Sequence, residues 1–254
     1  MSEHVRVADN DGCLAISLAR PERRNAITSE MYAALADAIE EATGNHRVRV
    51  ITISGDGQDF TAGNDLADFL EAAPRSSPEI PVWRFLRALA RCETPIIAAV
   101  HGNCVGIGTT LLLHCDLVLA DDTARFSMPF VDLGLVPEAA SSLLVPRLAG
   151  RRRAARYLLL CESFGPDEAL TIGLISHRAQ PGELEAELKR LVANLLSKPA
   201  EALRQTQKLL RHGARDEVLE RMELEGTRFS ERLASVEVQQ AISAFFQKRG
   251  SAAS

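Results

Sequence analysis

The chain has 254 residues, 46% of them hydrophobic, which suffices for one large domain or for a domain of roughly 200 residues with an appendage. A net charge of −5 argues against a nucleic-acid binder, which normally carries a strongly basic face. Five cysteines without a Cys-x-x-Cys pair argue against a disulfide framework. No apolar signal core opens the sequence and no run reaches membrane-spanning length, so a cytoplasmic protein with reduced thiols and no membrane partner is expected.

Val5–Ala8 and Cys13–Ala19, joined through Asn10-Asp11-Gly12, predict a hairpin. Thr28 or Ser29 caps a helix whose apolar stripe is Met31, Leu35, Ala38 and Ile39. Val48–Ser54 reads as a strand, Asp65–Ala73 as a helix, Pro74–Pro81 as a proline-rich loop and Val82–Arg91 as an amphipathic helix. Ile96–Val100 is an apolar run of buried-strand type. Gly102, Gly106 and Gly108 then predict a tight turn, and Thr109–His114 the first turns of a buried helix. Leu117–Ala120 is a strand, Glu138–Leu148 and Arg152–Cys161 are helices, and Leu174–His177 is a short strand. Helices near Leu184–Leu196, Glu201–Arg211, Asp216–Phe229 and Val236–Gln247 complete the chain, with apolar positions such as Leu209, Leu219, Leu224 and Phe245.

The passage from Ile96 through the glycines into a helix carries the most chemistry. A strand entering a helix through glycines aims unpaired backbone N–H groups at one point, with the positive end of the helix dipole behind them. Such a point binds an anion, or an oxygen on which negative charge develops during a reaction. A dinucleotide fingerprint is excluded, because the Gly-x-Gly-x-x-Gly order is absent. The six histidines show no metal-ligand spacing.

Four segments together resemble the crotonase superfamily of enoyl-CoA hydratases and isomerases. They are Thr94–Asp116, Gln58-Asp-Phe-Thr-Ala-Gly-Asn-Asp-Leu66, Arg20-Pro-Glu-Arg-Arg-Asn-Ala26 and Phe126-Ser-Met-Pro-Phe-Val-Asp-Leu-Gly-Leu-Val-Pro137. The resemblance implies an α/β fold, a spiral of repeated β-β-α units over residues 1–195 that holds an acyl-CoA site. It further implies a C-terminal helical oligomerisation region over 196–254 and assembly as a homotrimer or a dimer of trimers. Coenzyme A is part of the substrate in such enzymes, and no separate cofactor or metal is expected.

By motif position the resemblance makes the backbone N–H groups of Asn64 and Ile107 the two donors to the thioester oxygen. Losing one such donor typically costs about 3–4 kcal/mol. Ala62, Gly63, Asp65, Leu66 and Gly106 belong to the same binding loops, with Asp65 also placed to cap the following helix. Arg24 and Ala26 are the candidates for contacting coenzyme A; Arg20 and Arg23 are further cations in that turn.

The side chains depart from the hydratase pattern. Where hydratases carry two glutamates that position a water, this chain has Thr110 and Phe130, and neither is a general base near neutral pH. One carboxylate stands nearby. Glu138, in Leu133-Gly-Leu-Val-Pro-Glu-Ala-Ala-Ser-Ser142, is similar in setting to the catalytic glutamate of one group of Δ3,Δ2-enoyl-CoA isomerases. Pro-Glu at a helix start is also ordinary first-turn chemistry, and there the dipole would lower its pKa whereas an apolar pocket would raise it. The expectation is an enzyme that shifts a 3-enoyl thioester to its 2-enoyl isomer by a single-base proton transfer. The alternatives are a hydratase or other enolate-forming lyase, and a catalytically silent acyl-CoA binder.

Overall fold

The computed structural model describes residues 2–68 and 80–252. The hairpin forms as expected: β1 (Val5–Asn10) and β2 (Cys13–Leu18) pair antiparallel around Asp11 and Gly12, both at positive φ. From β2 the main sheet continues in parallel through β3 (Val50–Gly55) and β4 (Ile96–Val100). Further along the chain β5 spans Asn103–Val105, β6 Leu117–Ala120, β7 Arg125–Ser127 and β8 His177–Arg178. The sheet order is β1-β2-β3-β4-β6-β8, while β5 and β7 pair with each other.

Alternation decides the two faces of the main sheet. Ile51, Ile53, Ile96, Ala98, Val100 and Val118 point into the principal core, against α1 (Ser29–Gly44) and α2 (Pro81–Arg91). Val50, Ile97 and Leu119 point the other way, where Leu188 and Leu191 of a later helix cover them. α1 is capped as the sequence predicts: the Thr28 hydroxyl accepts from the Met31 amide at 3.3 Å. Proline opens α2 at its first turn, where no N–H is needed.

The second layer is made of short extended pieces. β5 pairs in parallel with β7, and bridges join Ile27 to Asn64, Thr61 to Cys104 and Phe126 to Phe164. Followed along the chain, each parallel strand of the main sheet up to β6 is succeeded by one of these segments. β2 leads to Ile27, β3 to Thr61–Asn64, β4 to β5 and β6 to β7. This is the β-β-α spiral, expressed in pairing although no sequence motif repeats. The segment expected as a glycine turn therefore contains a strand, and β7 lies inside a segment with no strand expectation. Three residues are too few to display a period of two.

The remaining helices are α3 (Ile107–Thr110), α4 (Ser141–Ala149), α5 (Arg151–Leu159), α6 (Pro166–Ile172) and, in the C-terminal part, α7 (Leu184–Leu196), α8 (Ala200–Arg211), α9 (Arg215–Leu233) and α10 (Val236–Ala252). A 3₁₀ turn over Leu111–His114 prolongs α3. Two elements start three residues later than expected, and α6 forms where no helix was expected. The helix expected from Glu138 begins only at Ser141, because Ala139 and Ala140 take left-handed φ of 60° and 55°. The strand expected over Leu174–His177 begins at His177, while Leu174 and Ile175 are buried without pairing. Of the helix expected over Asp65–Ala73, residues 66–68 are helical; 69–73, and 74–79 of the expected loop, lie outside the described residues.

The C-terminal helices are tied into the core by Arg211 of α8. Its guanidinium donates to the carbonyls of Leu89, Cys92 and His114 and to Asp116 Oδ1, while Asp116 Oδ2 accepts from the Ile96 amide at 2.8 Å. Leu209, Leu210 and Leu224 remain exposed, at 73%, 74% and 53%, and Leu219 packs on the core. The side chain of Phe245 lies outside the described residues.

Gly102 is the joint between the two layers. Its φ is +56°, and a Cβ there would stand 1.9 Å from the Gln58 carbonyl oxygen and 3.0 Å from Asp59 Cα. No side-chain rotation relieves a clash with backbone. Gly102→Ala is expected to destabilise the protein by about 2 kcal/mol or more, read as a lower denaturant midpoint at unchanged m-value.

Candidate active site

Adjacent turns of the spiral meet at residues 61–64 and 103–107. The Thr61 amide donates to Asn103 O at 3.0 Å and the Val105 amide returns a bond to Thr61 O at 3.1 Å. On the opposite edge of the same segment, the Ala62 amide donates to Arg24 O, the Ile27 amide to Gly63 O and the Asp65 amide to Ile27 O, at 2.8, 2.8 and 2.9 Å. Successive N–H groups of an extended chain point to opposite edges. The Asn64 amide, between groups committed to Ile27, is therefore turned toward the 105–107 side.

Gly63 is what allows the close approach: a Cβ on it would lie 2.7 Å from Val105 O. One residue beyond Gly63 stands the Asn64 amide. On the other strand the Gly106 amide is used by Ser127 O at 2.8 Å, and the Ile107 amide follows as the first residue of α3. Neither the Asn64 nor the Ile107 amide donates a hydrogen bond within the described residues. Two free donors at a strand–helix junction form the arrangement that receives developing negative charge. The Ile107 side chain is fully buried.

Glu138 is 2% exposed. Its Oε1 accepts a short hydrogen bond from the Thr110 hydroxyl, and its Oε2 has no partner. Thr110 thus stands beside the carboxylate, as the motif spacing implies, and acts as a donor to it. Burial pushes the Glu138 carboxyl up to about 8; the Thr110 hydrogen bond opposes this and the charge of Glu225 adds to it. The competing expectation, a pKa lowered by a helix start, fails because α4 begins three residues later.

The turn that carries Glu138 is held in an unusual shape. Ala139 and Ala140 are both fully buried at left-handed φ, which costs about 1–2 kcal/mol per residue. His114 Nε2 donates to Ala139 O at 2.8 Å, which assigns its proton to Nε2. Burial holds His114 neutral, its pKa down to about 4 although the bond to Ala139 raises it.

Tyr32 is a site residue that the sequence does not single out. Its hydroxyl donates to Asn64 Oδ1 at 2.5 Å, fixing the side chain of the loop whose amide is free. Burial, the Glu138 charge and Asp68 all keep this phenol protonated. Met31 and Leu35 beside it are ordinary core residues, so nothing in the periodicity distinguishes Tyr32.

Other candidates separate into used and free groups. Phe130 is buried at the head of the 3₁₀ turn Val131–Leu133, and its carbonyl accepts from Leu133 and Leu135. Asp65 caps the turn at Leu66, accepting from the Ala67 amide at 3.1 Å, while its Oδ2 takes Arg20 Nη1 at 2.7 Å. Partial burial raises its pKa, and the Arg20 bond and the capping amides lower it further than that. Arg20 also donates to Ala26 O and is therefore committed within the protein. Arg24 is different: left-handed at φ 52°, with its side chain 60% exposed and Asp59 3.8 Å away. Asp132 is exposed, and burial pushes the Cys104 thiol up, which rules it out as a ready nucleophile. Among the described residues no group of three His, Cys, Asp or Glu is placed to hold a metal, and no helix is long and apolar enough to cross a membrane.

Known proteins share this architecture. A sequence model described as enoyl-CoA hydratase/isomerase matches residues 8–252. The chain is 32% identical to 1,2-epoxyphenylacetyl-CoA isomerase of Escherichia coli over 98% of its length and 97% of that protein's. It is 31% identical to a probable enoyl-CoA hydratase of Rhodobacter capsulatus, again over 98% and 97%. The solved structure of an enoyl-CoA hydratase/isomerase from Pseudoalteromonas atlantica superposes with a TM-score of 0.92 at 40% identity, covering 97% of this chain and 98% of the other. The sequence motifs, the two-layer spiral and these relatives agree that the chain belongs to the enoyl-CoA hydratase/isomerase family.

Proposed function

We propose that this protein isomerises 3-enoyl-CoA to 2-enoyl-CoA, with Glu138 as the sole base. The observation that carries the reading is the buried carboxylate of Glu138, raised to about 8 and bonded to Thr110, while Thr110 and Phe130 stand where a hydratase needs two acids. The thioester oxygen is received by the Asn64 and Ile107 amides. The Glu138 carboxylate removes a proton from C2, and the C–H electron pair enters the enolate, whose charge rests on that oxygen. The enolate is conjugated with the C3=C4 bond. Glu138, now protonated, returns the proton at C4; the double bond forms between C2 and C3 and the carbonyl is restored. One proton moves and nothing else is consumed, so the chemistry asks for no cofactor beyond the coenzyme A of the substrate. Ala62, Gly63, Asp65, Leu66 and Gly106 shape the loops around the thioester, and Phe130 replaces the second acid with an apolar wall. Arg24, exposed and only loosely paired with Asp59, is the cation placed to meet the coenzyme A phosphates, two residues from Ala26. The exposed leucines of α8 and α9 suit burial in a trimer or a dimer of trimers.

The reading is tested by incubating the protein separately with 3-enoyl-CoA and 2-enoyl-CoA. Double-bond migration without hydration is expected, and kcat/KM is expected to rise with pH and level off above about 8, since the reactive form is the ionised one. Glu138→Gln is expected to reduce isomerisation by about 10²–10⁴-fold. Full activity in that variant, or hydration as the only reaction, overturns the proposal. Tight acyl-CoA binding without turnover identifies a silent binder instead.

A buried base also has a stability signature. The folded pKa of Glu138 lies above its ordinary value near 4.5, so between about 4.5 and 8 the folded state holds a proton that the unfolded state has lost. Stability from this group therefore declines as pH rises through that window, by about 1.4 kcal/mol per unit of elevation at most. Glu138→Gln is expected to melt higher than the unaltered protein at pH 8, with the difference shrinking toward pH 5; an equal or lower melting temperature at pH 8 contradicts this.

A further inference from the structure

Glu225 is a carboxylate on the wrong side of its helix. In α9 the buried positions are Val218, Met222, Glu225 and Phe229, an apolar stripe at helical spacing into which one acid has been set. It is 5% exposed, and a charge in such a place is costly unless it is bonded. Its Oε1 accepts from the Ser142 amide at 2.9 Å, in the first turn of α4, where Ala140 supplies no capping side chain. Ser142 Oγ in turn accepts from Arg221 Nη1 at 3.1 Å, one turn earlier on α9.

The neighbouring residue, Ser141, belongs to Glu138. Both its amide and its hydroxyl donate to Glu138 O, at 3.0 and 2.5 Å. Consecutive residues of one helical turn thus bind Glu138 and Glu225. Each of these acids keeps an Oε2 that is buried and unpartnered. Capping alone would be served by a neutral acceptor. What the carboxylate adds is a second charge in the low-dielectric surroundings of the first.

We propose that Glu225 is a positioning residue for the reaction: from α9 it holds the turn that presents Glu138, and in its ionised form it sets a second negative charge there that strengthens Glu138 as a base. The inference rests on Glu138 being that base. The groups around Glu138 are the Thr110 hydroxyl from α3, the Tyr32 phenol from α1, neutral His114 behind Ala139, and Glu225 from α9, with Arg221 acting on Glu225 and Ser142. Tyr32 and His114 do not change charge near neutral pH, for the reasons given above. Burial pushes the Glu225 carboxyl up, and the Ser142 bond, the nearby Ala140 amide and Arg221 offset only part of this. Proton transfer from substrate converts Glu138 to its neutral acid, and that is the form a neighbouring negative charge favours. The same charge therefore lowers the barrier to enolate formation.

The test is a carboxyl titration by carbon-13 NMR of the full chain labelled at glutamate Cδ, together with the pH profile of kcat/KM. Glu225→Gln retains an acceptor for Ser142 and removes the charge. In that variant the Glu138 midpoint and the acid limb of kcat/KM are both expected to move to lower pH by about half a unit or more, with a lower plateau rate. Glu225→Met, a neutral side chain of similar length in the same apolar stripe, supplies the same measurement on Glu138 if Glu225→Gln does not fold. An unmoved Glu138 midpoint and pH profile in folded Glu225→Gln, with Glu138→Gln inactive, overturn the role of Glu225 alone. Full isomerisation by Glu138→Gln overturns the base assignment and this inference with it.

Discussion

An extended backbone inside a protein must find partners for its N–H groups on both edges, and the spiral provides them by setting each turn against the next. Ile27, Thr61–Asn64, β5, β7 and Phe164 form one continuous ladder by this means. The ladder stops where the chain turns into α3, and there the Asn64 and Ile107 amides are left over. The candidate oxyanion site is thus the edge condition of the fold. Because the donors belong to the main chain, the residue at 107 is free to be isoleucine; what must be kept is the close approach at Gly63 and the turn at Gly102.

The proposed base is maintained in the opposite manner, by a turn under backbone strain. Glu138 follows Pro137 and precedes two left-handed alanines, is closed off from water, and has one carboxylate oxygen unsatisfied. The left-handed alanines, the burial and the unsatisfied oxygen each disfavour folding, and each raises the proton affinity of the group or fixes where it points. Neutral His114 and the Glu225 cap hold the turn from two sides. Strain concentrated at a reactive group and compensated by rigid surroundings is the expected form of a site selected for reactivity.

What the sequence shows of this is what is local. The Ile96–Val100 strand, the Thr28 cap and the helix stripes are set by neighbours three or four residues away, and they form where expected. β5 and β7 exist only because adjacent turns pair, which three residues cannot announce. Glu138 was identified by motif, yet its electrostatic setting comes from α9, far along the chain. A signal for that setting was present: Glu225 interrupts the Val218, Met222, Phe229 stripe, and an acid on an apolar stripe asks for a reason. Tyr32 offered no such signal, and the motif's preference for Arg24 over Arg20 gains its physical reason only from the contact of Arg20 with Asp65.

Thr110 carries a consequence for the acids this site can hold. Its hydroxyl is pressed against Glu138, so an acid at the same position would meet a carboxylate already deprived of water. Two such groups share a single proton, and one of them ceases to be available as a charged base. Positions 110 and 138 are therefore electrostatically one unit: an acid introduced at either is titrated by the other.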